Sequence, residues 1–334
     1  MSDKINISII LLSFFLSALS TAIISKLGTR LALIDNPNER SSHSFPTPRG
    51  GGIGIWLAFM IIEFFVVKDT FFTLIAGAAG LLGLLEDYLT LSSKLRLLIQ
   101  FVISISFVFL FLGLPTSTVS IVSFLFWLVF ITGTANFYNF MDGINGIAGL
   151  TGIVGFGLMA FFSFFIINEP DIALISIALS SACLGFLPFN FPKARVFMGD
   201  IGSVFLGFVF ASFVLKLSAN IGIFLCLGMF LSTFYADAIL TMYYRYQRGE
   251  YLMKAHRSHL YQYMSNELKI PHWIISSIYA LTQGIFGISA IVTYRKGLLW
   301  QSVLLGTFVG LFIITYQIIK RIKPRLPGSP SKVL

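Results

Sequence analysis

Gly50–Asp87 reads GGGIGIWLAFMIIEFFVVKDTFFTLIAGAAGLLGLLED. Two apolar runs, each close to the ~20 residues that cross a bilayer as a helix, are separated by Lys68-Asp69 alone. So short a connection predicts antiparallel neighbours in one bundle. The stretch ends on two adjacent acids, Glu86-Asp87, where an oily segment meets water. A carboxylate beside hydrocarbon is expensive and generally has a task.

Outward from this hairpin the same texture fills the chain. Hydrophobic residues make up 56% of the 334 positions and charged residues 11%, with 36 Phe. A soluble domain carries about 25% charged residues. Apolar runs of spanning length fall near 5–25, 50–67, 70–86, 97–113, 117–134, 146–167, 172–189, 201–217, 219–240, 272–293 and 298–319. The expected fold class is all-α: a polytopic membrane helix bundle of about 11 transmembrane helices. Ser218-Ala219-Asn220 is another short connection, and no linker or internal repeat is evident, so residues 1–334 read as a single integral membrane domain. The first run carries Lys4 and small residues at Ala18-Leu19-Ser20 but no clear cleavage signature, so it reads as a retained helix. Cys183 and Cys226 stand alone in apolar stretches and suit buried packing rather than a metal or a disulfide.

With eleven crossings the termini lie on opposite sides. Connections of one parity hold 18 of the 23 Lys and Arg, and the other parity holds Lys4, Lys68, Lys216, Arg295 and Lys296. The positive-inside rule then predicts the N-terminus out and the C-terminus in, with the basic tail Lys320–Arg325 touching anionic lipid. Nine of the fourteen acids fall at that same cytoplasmic edge. This argues against a lipid or solute transporter, the competing class, whose charges sit near the bilayer midplane at broken helices. Glu63 is the one acid well inside a run on the other side, where helix packing or a lipid edge is the expected role.

The cytoplasmic connections carry dense polar motifs. In the first, Asp35–Gly52, prolines stop any helix, and Gly50-Gly51-Gly52 beside Arg49 forms either a packing turn or a phosphate-facing one. Packing is the expected role. Glu86-Asp87 closes the third run against the helix macrodipole, and Lys94, Arg96 and Gln100 follow. Asn136 and Asn139 are spaced to share a helix face, and Asp142-Gly143 breaks that helix. With Asn145 there are four such residues, more than a capped turn needs. They suit a sugar, a ribose or a metal ligand. In Asn190–Ser203, Asp200 stands at a helix entry between Gly199 and Gly202, with Lys193 and Arg195 before it, a pattern for an anion or metal site and also for an N-cap. The loop after the ninth run holds Arg245, Arg248, Lys254, His256, Arg257 and His259. Two imidazoles without a third ligand, interleaved with cations, fit a diphosphate better than zinc.

In order and spacing these motifs resemble the polyprenyl-phosphate N-acetylhexosamine-1-phosphate transferase family, of glycosyltransferase 4 type, over roughly residues 35–262. Its members include phospho-N-acetylmuramoyl-pentapeptide transferase and the enzymes that initiate O-antigen and enterobacterial common antigen. Ala255–Gln262 resembles the O-antigen-initiating branch, and the run of adjacent histidines of the muramoyl branch is missing. The resemblance implies transfer of a sugar 1-phosphate from a UDP-N-acetyl amino sugar to undecaprenyl phosphate, with UMP leaving. It implies magnesium, with manganese as the alternative ion, and a bacterial cytoplasmic (inner) membrane with the active site on the cytoplasmic face. It places the family's Asp pair on Glu86-Asp87, with Glu replacing the first Asp, its Asn-x-x-Asp on Asn139 and Asp142, and its metal-binding Asp on Asp200. The expected roles follow. Asp200, with Asp142, holds the metal. Asp87 engages the lipid phosphate. Asn139 and Asp142 hold nucleotide or metal. Arg245, His256, Arg257 and His259 neutralise the diphosphate. Arg49, Lys94, Asn136 and Asn190 complete the substrate-binding set. A family member acting on GlcNAc or muramoyl-pentapeptide donors is the alternative within this reading. Related enzymes are often dimers, so the resemblance is compatible with a homodimer and leaves the oligomeric state open, and no nucleic-acid partner is expected.

Overall fold

The computed structural model describes residues 7–28, 30–31, 33–37, 42, 45–89, 91–252 and 256–322. Lys4, Lys254, Ala255 and the tail residues 323–325, named above, lie outside the described residues, as do Arg40 and His43 of the first cytoplasmic connection. The helices are α1 (Ile7–Leu27), α2 (Ile53–Ile62), α3 (Thr70–Tyr88), α4 (Ser93–Leu112), α5 (Thr118–Phe140), α6 (Ile147–Phe162) and α7 (Pro170–Asn190), then α8 (Asp200–Leu217), α9 (Ile221–Gly228), α10 (Ser232–Gln247), α11 (Leu260–Asn266), α12 (His272–Tyr294) and α13 (Leu298–Arg321). A two-residue antiparallel ladder pairs β1 (Ile34–Asp35) with β2 (Thr47–Pro48). Among the described residues, ten helical segments are long and apolar enough to cross a membrane, and Ile53–Val67 is a shorter eleventh. The chain is an all-α, multi-pass membrane bundle, and each expected crossing coincides with one of these segments.

Two boundaries differ from the sequence reading in ways that matter for the site. α5 continues to Phe140, so Asn136 and Asn139 do share a helix. α4 starts at Ser93, which puts Lys94 and Arg96 in its first turn. The ninth crossing is broken: α9 passes through a 3₁₀ turn at Met229–Leu231 into α10.

α8 is the central pillar. Sixteen of its residues, Ile201–Leu215 and Leu217, are buried, as expected of a helix apolar on every side. α3 and α5 flank it and α2 crosses near its start. Phenylalanines fill the space between them edge-to-face, as in Phe59–Phe205 (5.1 Å) and Phe107–Phe208 (6.0 Å). On the other flank α1 turns the small stripe Ser13, Ser17 and Thr21 inward. Gly54 of α2 abuts the Ser17 backbone and Gly185 of α7 the Phe14 carbonyl, the close packing that small residues allow in membranes.

One recurrence escaped the sequence reading. α2 runs into a π-helical turn, Glu63–Val67, and α6 into another, Ser163–Ile167. Each ends on one left-handed residue, Lys68 (φ 67°) or Asn168 (φ 63°). An acid follows (Asp69 or Glu169), and then the next helix begins. The shared sequence is a Phe-Phe pair with two β-branched residues, too little to stand out among 36 Phe.

Gly83 sets the spacing of α3 on α8, because a Cβ there would collide with the Asp200 carbonyl. Gly83→Ala should cost about 1–3 kcal/mol through overpacking, read as a lower thermal midpoint of the purified protein. Gly306→Ala on α13, where a Cβ meets nothing within 4 Å, should not lower it.

Candidate active site

Asp87, in the last turn of α3, reaches the first turn of α8. Its Oδ1 accepts the Asp200 N–H (3.1 Å) and its Oδ2 the Ile201 N–H (3.2 Å), with the side chain 1% exposed. Free N–H groups at a helix start attract an anion, and here another helix supplies it. Gly199 makes the approach possible: its φ is +77°, and a Cβ would stand 2.5 Å from Asp87 Oδ2. The N-cap reading of Asp200 is thereby corrected. Asp200 is the first residue of α8, and the capping is done from α3 by Asp87. Released from capping, the Asp200 carboxylate is 33% exposed; its Oδ1 accepts from Asn139 Nδ2 at 2.8 Å, and its Oδ2 lies 4.0 Å from Arg96.

Arg49 lies with its Nε 3.7 Å from Asp87 Oδ1 and donates to the Asp87 carbonyl. The Gly51 and Gly52 N–H groups donate to Phe197 and Met198 carbonyls, so the glycine turn packs, as expected, rather than facing a phosphate. Arg96 Nη1 stands 3.5 Å from Glu86 Oε2, whereas Lys94 is exposed and lines neither the cavity nor the groove described below. Two residues apart on a helix is about 200° of rotation, so only one of these cations can face the bundle. Asn136 braces α5 on α4 through Gln100 (2.6 Å). Asn190 accepts the Gly146 N–H (2.7 Å) and donates to the Val196 carbonyl (2.8 Å). Asp87, Asp142, Asp200, Arg49, Asn190 and Gln262 line one cavity of about 190 Å³. Burial, then the negative charges of Asp200 and Asp87, pushes the Asp142 carboxyl well above the usual carboxylate range.

The expected cationic clamp is not gathered there. Arg245 is 3% exposed and holds its own loop through Glu250 Oε2 (2.9 Å) and the Tyr251 and Leu252 carbonyls. His259 is 2% exposed, with Nδ1 3.5 Å from Asp237 Oδ1. Arg257 lies toward Glu267 at 3.8 Å, outside both spaces. Burial, then His259 and Arg245, pushes the His256 imidazole down to about 3, so it is neutral at neutral pH and brings no charge to a phosphate. Asp237 organises this region. Fully buried, it accepts from the Leu260 and Tyr261 N–H groups, Thr241 and, at 2.7 Å, the Tyr279 hydroxyl.

The chain matches the family model described as "Glycosyl transferase family 4" over residues 70–218, the stretch carrying Asp87, Asn139, Asp142 and Asp200. It is 28% identical to the "Undecaprenyl-phosphate alpha-N-acetylglucosaminyl 1-phosphate transferase" of Thermotoga maritima over 59% of this chain and 60% of that one. It is 26% identical to the "Probable undecaprenyl-phosphate N-acetylglucosaminyl 1-phosphate transferase" of Bacillus subtilis, over 94% and 92%. Against the "Phospho-N-acetylmuramoyl-pentapeptide-transferase" of Halalkalibacterium halodurans it is 26% identical over 84% and 97%. Across these comparisons the chain is similar to glycosyl transferase family 4 and to polyprenyl-phosphate hexosamine-1-phosphate transferases.

A groove of about 550 Å³ opens beside the carboxylates, with Arg96, Asn136, Asn139, His256 and His259 on its walls. Through Val129, Gly133 and Phe137 it continues into a larger one of about 730 Å³, walled almost wholly by apolar side chains of α5, α9, α10 and α13. Arg96, Asp35, Gln262 and Asp237 are the residues that sequence reasoning passed over as site members. For Arg96 the helical angle to Gln100, its i+4 neighbour, was a usable signal. Asp35 reaches the cavity only through the β1–β2 pairing, which the sequence did not announce.

Asp237→Leu should leave two buried N–H groups and the Thr241 and Tyr279 hydroxyls without their acceptor, at about 1–3 kcal/mol each. Limited proteolysis should then cut between Arg248 and His259 faster than in the parent protein.

Proposed function

We propose that the protein transfers an N-acetyl amino-sugar 1-phosphate from a UDP-sugar to undecaprenyl phosphate, releasing UMP and starting a lipid-linked surface glycan of the O-antigen or capsule type. The observation that carries this reading is the meeting of Asp87, Asp142 and Asp200 at one cavity, beside a groove that runs on into an apolar one. A phosphate-bearing prenyl chain needs that sequence of surroundings. The reading puts the cavity on the cytoplasmic face of the inner membrane, supported by the asymmetry of Lys and Arg.

Magnesium, with manganese as the alternative, fits the donor set. Among the described residues no three His, Cys, Asp or Glu form a complete metal cage. Mg²⁺ does not require one: it takes one or two carboxylates and completes its shell with water and substrate phosphates. Asp200 and Asp142 would hold it, and when bound it would screen the charge of the donor diphosphate.

The chain's own residues then position the reactants. A phosphate monoester has its second pKa at about 6, so the acceptor is mostly dianionic at neutral pH and needs no base. Its oxygen attacks the sugar-bearing phosphorus. The bond from that phosphorus to UMP breaks, and UMP leaves with the bridging oxygen and its electron pair. Arg96, between Glu86 and Asp200, is placed to take the acceptor phosphate at the polar end of the groove. Asn139 orients Asp200, and Asp87 holds the start of α8 beneath it. Both Asp87 oxygens are engaged, which supports direct attack over an aspartyl-phosphate intermediate. The relatives' names point to GlcNAc and muramoyl-pentapeptide donors. The His256–His259 loop supports the O-antigen type.

Purified protein with undecaprenyl phosphate, Mg²⁺ and a panel of UDP-N-acetyl amino sugars should release UMP and give a lipid-linked sugar diphosphate by mass spectrometry. No UMP from any donor sinks the proposal. Asp200→Asn should lower turnover at least about 100-fold and Asn139→Ala about 10–100-fold, the usual effect of losing a partner that orients a metal ligand. Labelled UMP should not exchange into UDP-sugar without the lipid acceptor. A cysteine placed at Arg257 should resist impermeant thiol reagents in intact cells, and labelling from outside would reverse the orientation.

A further inference from the structure

At the end of the bundle opposite the carboxylates lies a second polar cavity, of about 450 Å³, that sugar-phosphate transfer does not use. α3 separates the two: Asp69 caps its start and Asp87 lies in its last turn, 19 helical residues or about 28 Å of rise. The two π-helical hairpins meet here. The first contributes Glu63, Lys68 and Asp69, the second Glu169 and Asp171, and α8 adds Lys216 from its last turn.

Lys216 is already held, with Nζ 2.9 Å from Asp69 Oδ2 and 4.1 Å above the Phe72 ring. Glu63 is different. It is 2% exposed, it lines the cavity, and its Oε2 is buried with no hydrogen-bond partner. A buried carboxylate oxygen without a donor is costly, and native structures rarely leave one. The space is far wider than a lone ion needs, and no three acids among the described residues gather as metal ligands. Ile172, Ile175 and Phe213 give part of the wall an apolar character. Four acids against two lysines leave an excess of negative charge.

We propose that this cavity binds a ligand through a primary ammonium group seated on Glu63, with Glu169 and Asp171 at the rim and Lys68 placed for an accompanying phosphate. A primary ammonium brings three N–H donors to the orphaned oxygen, whereas a quaternary ammonium brings none. The cavity sits at helix ends, level with lipid headgroups, so an aminophospholipid and a free amine are the two sources of this chemistry.

Native mass spectrometry of the full-length protein with equimolar phosphatidylethanolamine and phosphatidylcholine of matched chains tests the lipid source. Thermal midpoints in phosphatidylcholine nanodiscs with ethanolamine or choline test the soluble one. The expected result is a several-fold excess of retained phosphatidylethanolamine that Glu63→Gln abolishes. A midpoint raised by ethanolamine but not choline, and lost in Glu63→Gln, also supports the site and assigns it to a soluble amine. No preference in either arm, or a preference undiminished by Glu63→Gln, overturns the proposal. Should Glu63→Gln fail to fold, Asp171→Asn on the exposed rim is read the same way, with a weakened preference expected. Neither readout depends on transferase activity, so the two proposals fail separately.

Discussion

A carboxylate inside an apolar bundle must find donors, and Asp87 finds them on the first turn of α8. This contact ties the last turn of one helix to the first turn of another, joining an unfavourable negative charge at a helix C-terminus to the favourable end of its neighbour. Much of the local sequence serves it. Gly199 leaves room for the carboxylate, Gly83 lets the two backbones touch, and Arg49 holds Asp87 from a third element. The central helix begins where it does because of this bond. Its first side chain, Asp200, is left facing the cavity instead of closing its own helix.

The membrane segments were legible in the sequence because apolar length is a property of the local chain. Every expected run met a helix. What could not be read was partnership across segments. Asp200 fits an N-cap by every local rule, and it loses that role only because Asp87 arrives from more than a hundred positions away. Lys94 and Arg96 are chemically alike, and the choice between them depends on where α4 begins. The His256–His259 loop looked like a cationic clamp because charge was counted without burial. Arg245 faces inward to Glu250 and two carbonyls, and His256 is too desolvated to hold a proton.

The site divides its tasks along a gradient of polarity. At one end, four aspartates (Asp35, Asp87, Asp142 and Asp200) and Arg49 line a small cavity. Beside it, Arg96 and the two asparagines of α5 line a mixed groove, and beyond Phe137 the walls are apolar. α5 runs the length of this gradient, with Phe126 and Phe130 on the apolar stretch and Asn136 and Asn139 on the polar one. A single continuous helix therefore fixes the distance between the region suited to a prenyl chain and the region suited to its phosphate. That is why the extension of α5 to Phe140 matters more than its start.

Glu86 gains its meaning from the same arrangement. The resemblance read from the sequence would place an aspartate at this position, and the extra methylene of glutamate lengthens its reach. In this chain the reach is toward Arg96, whose guanidinium stands 3.5 Å from Glu86 Oε2 and 4.0 Å from Asp200 Oδ2. Both contacts are made by one guanidinium nitrogen, Nη1. A longer acid opposite this cation keeps both carboxylates in register with one positive charge. Glu86 Oε1 remains buried without a donor. The glutamate and the arginine form one unit, set beside the Asp200 carboxylate.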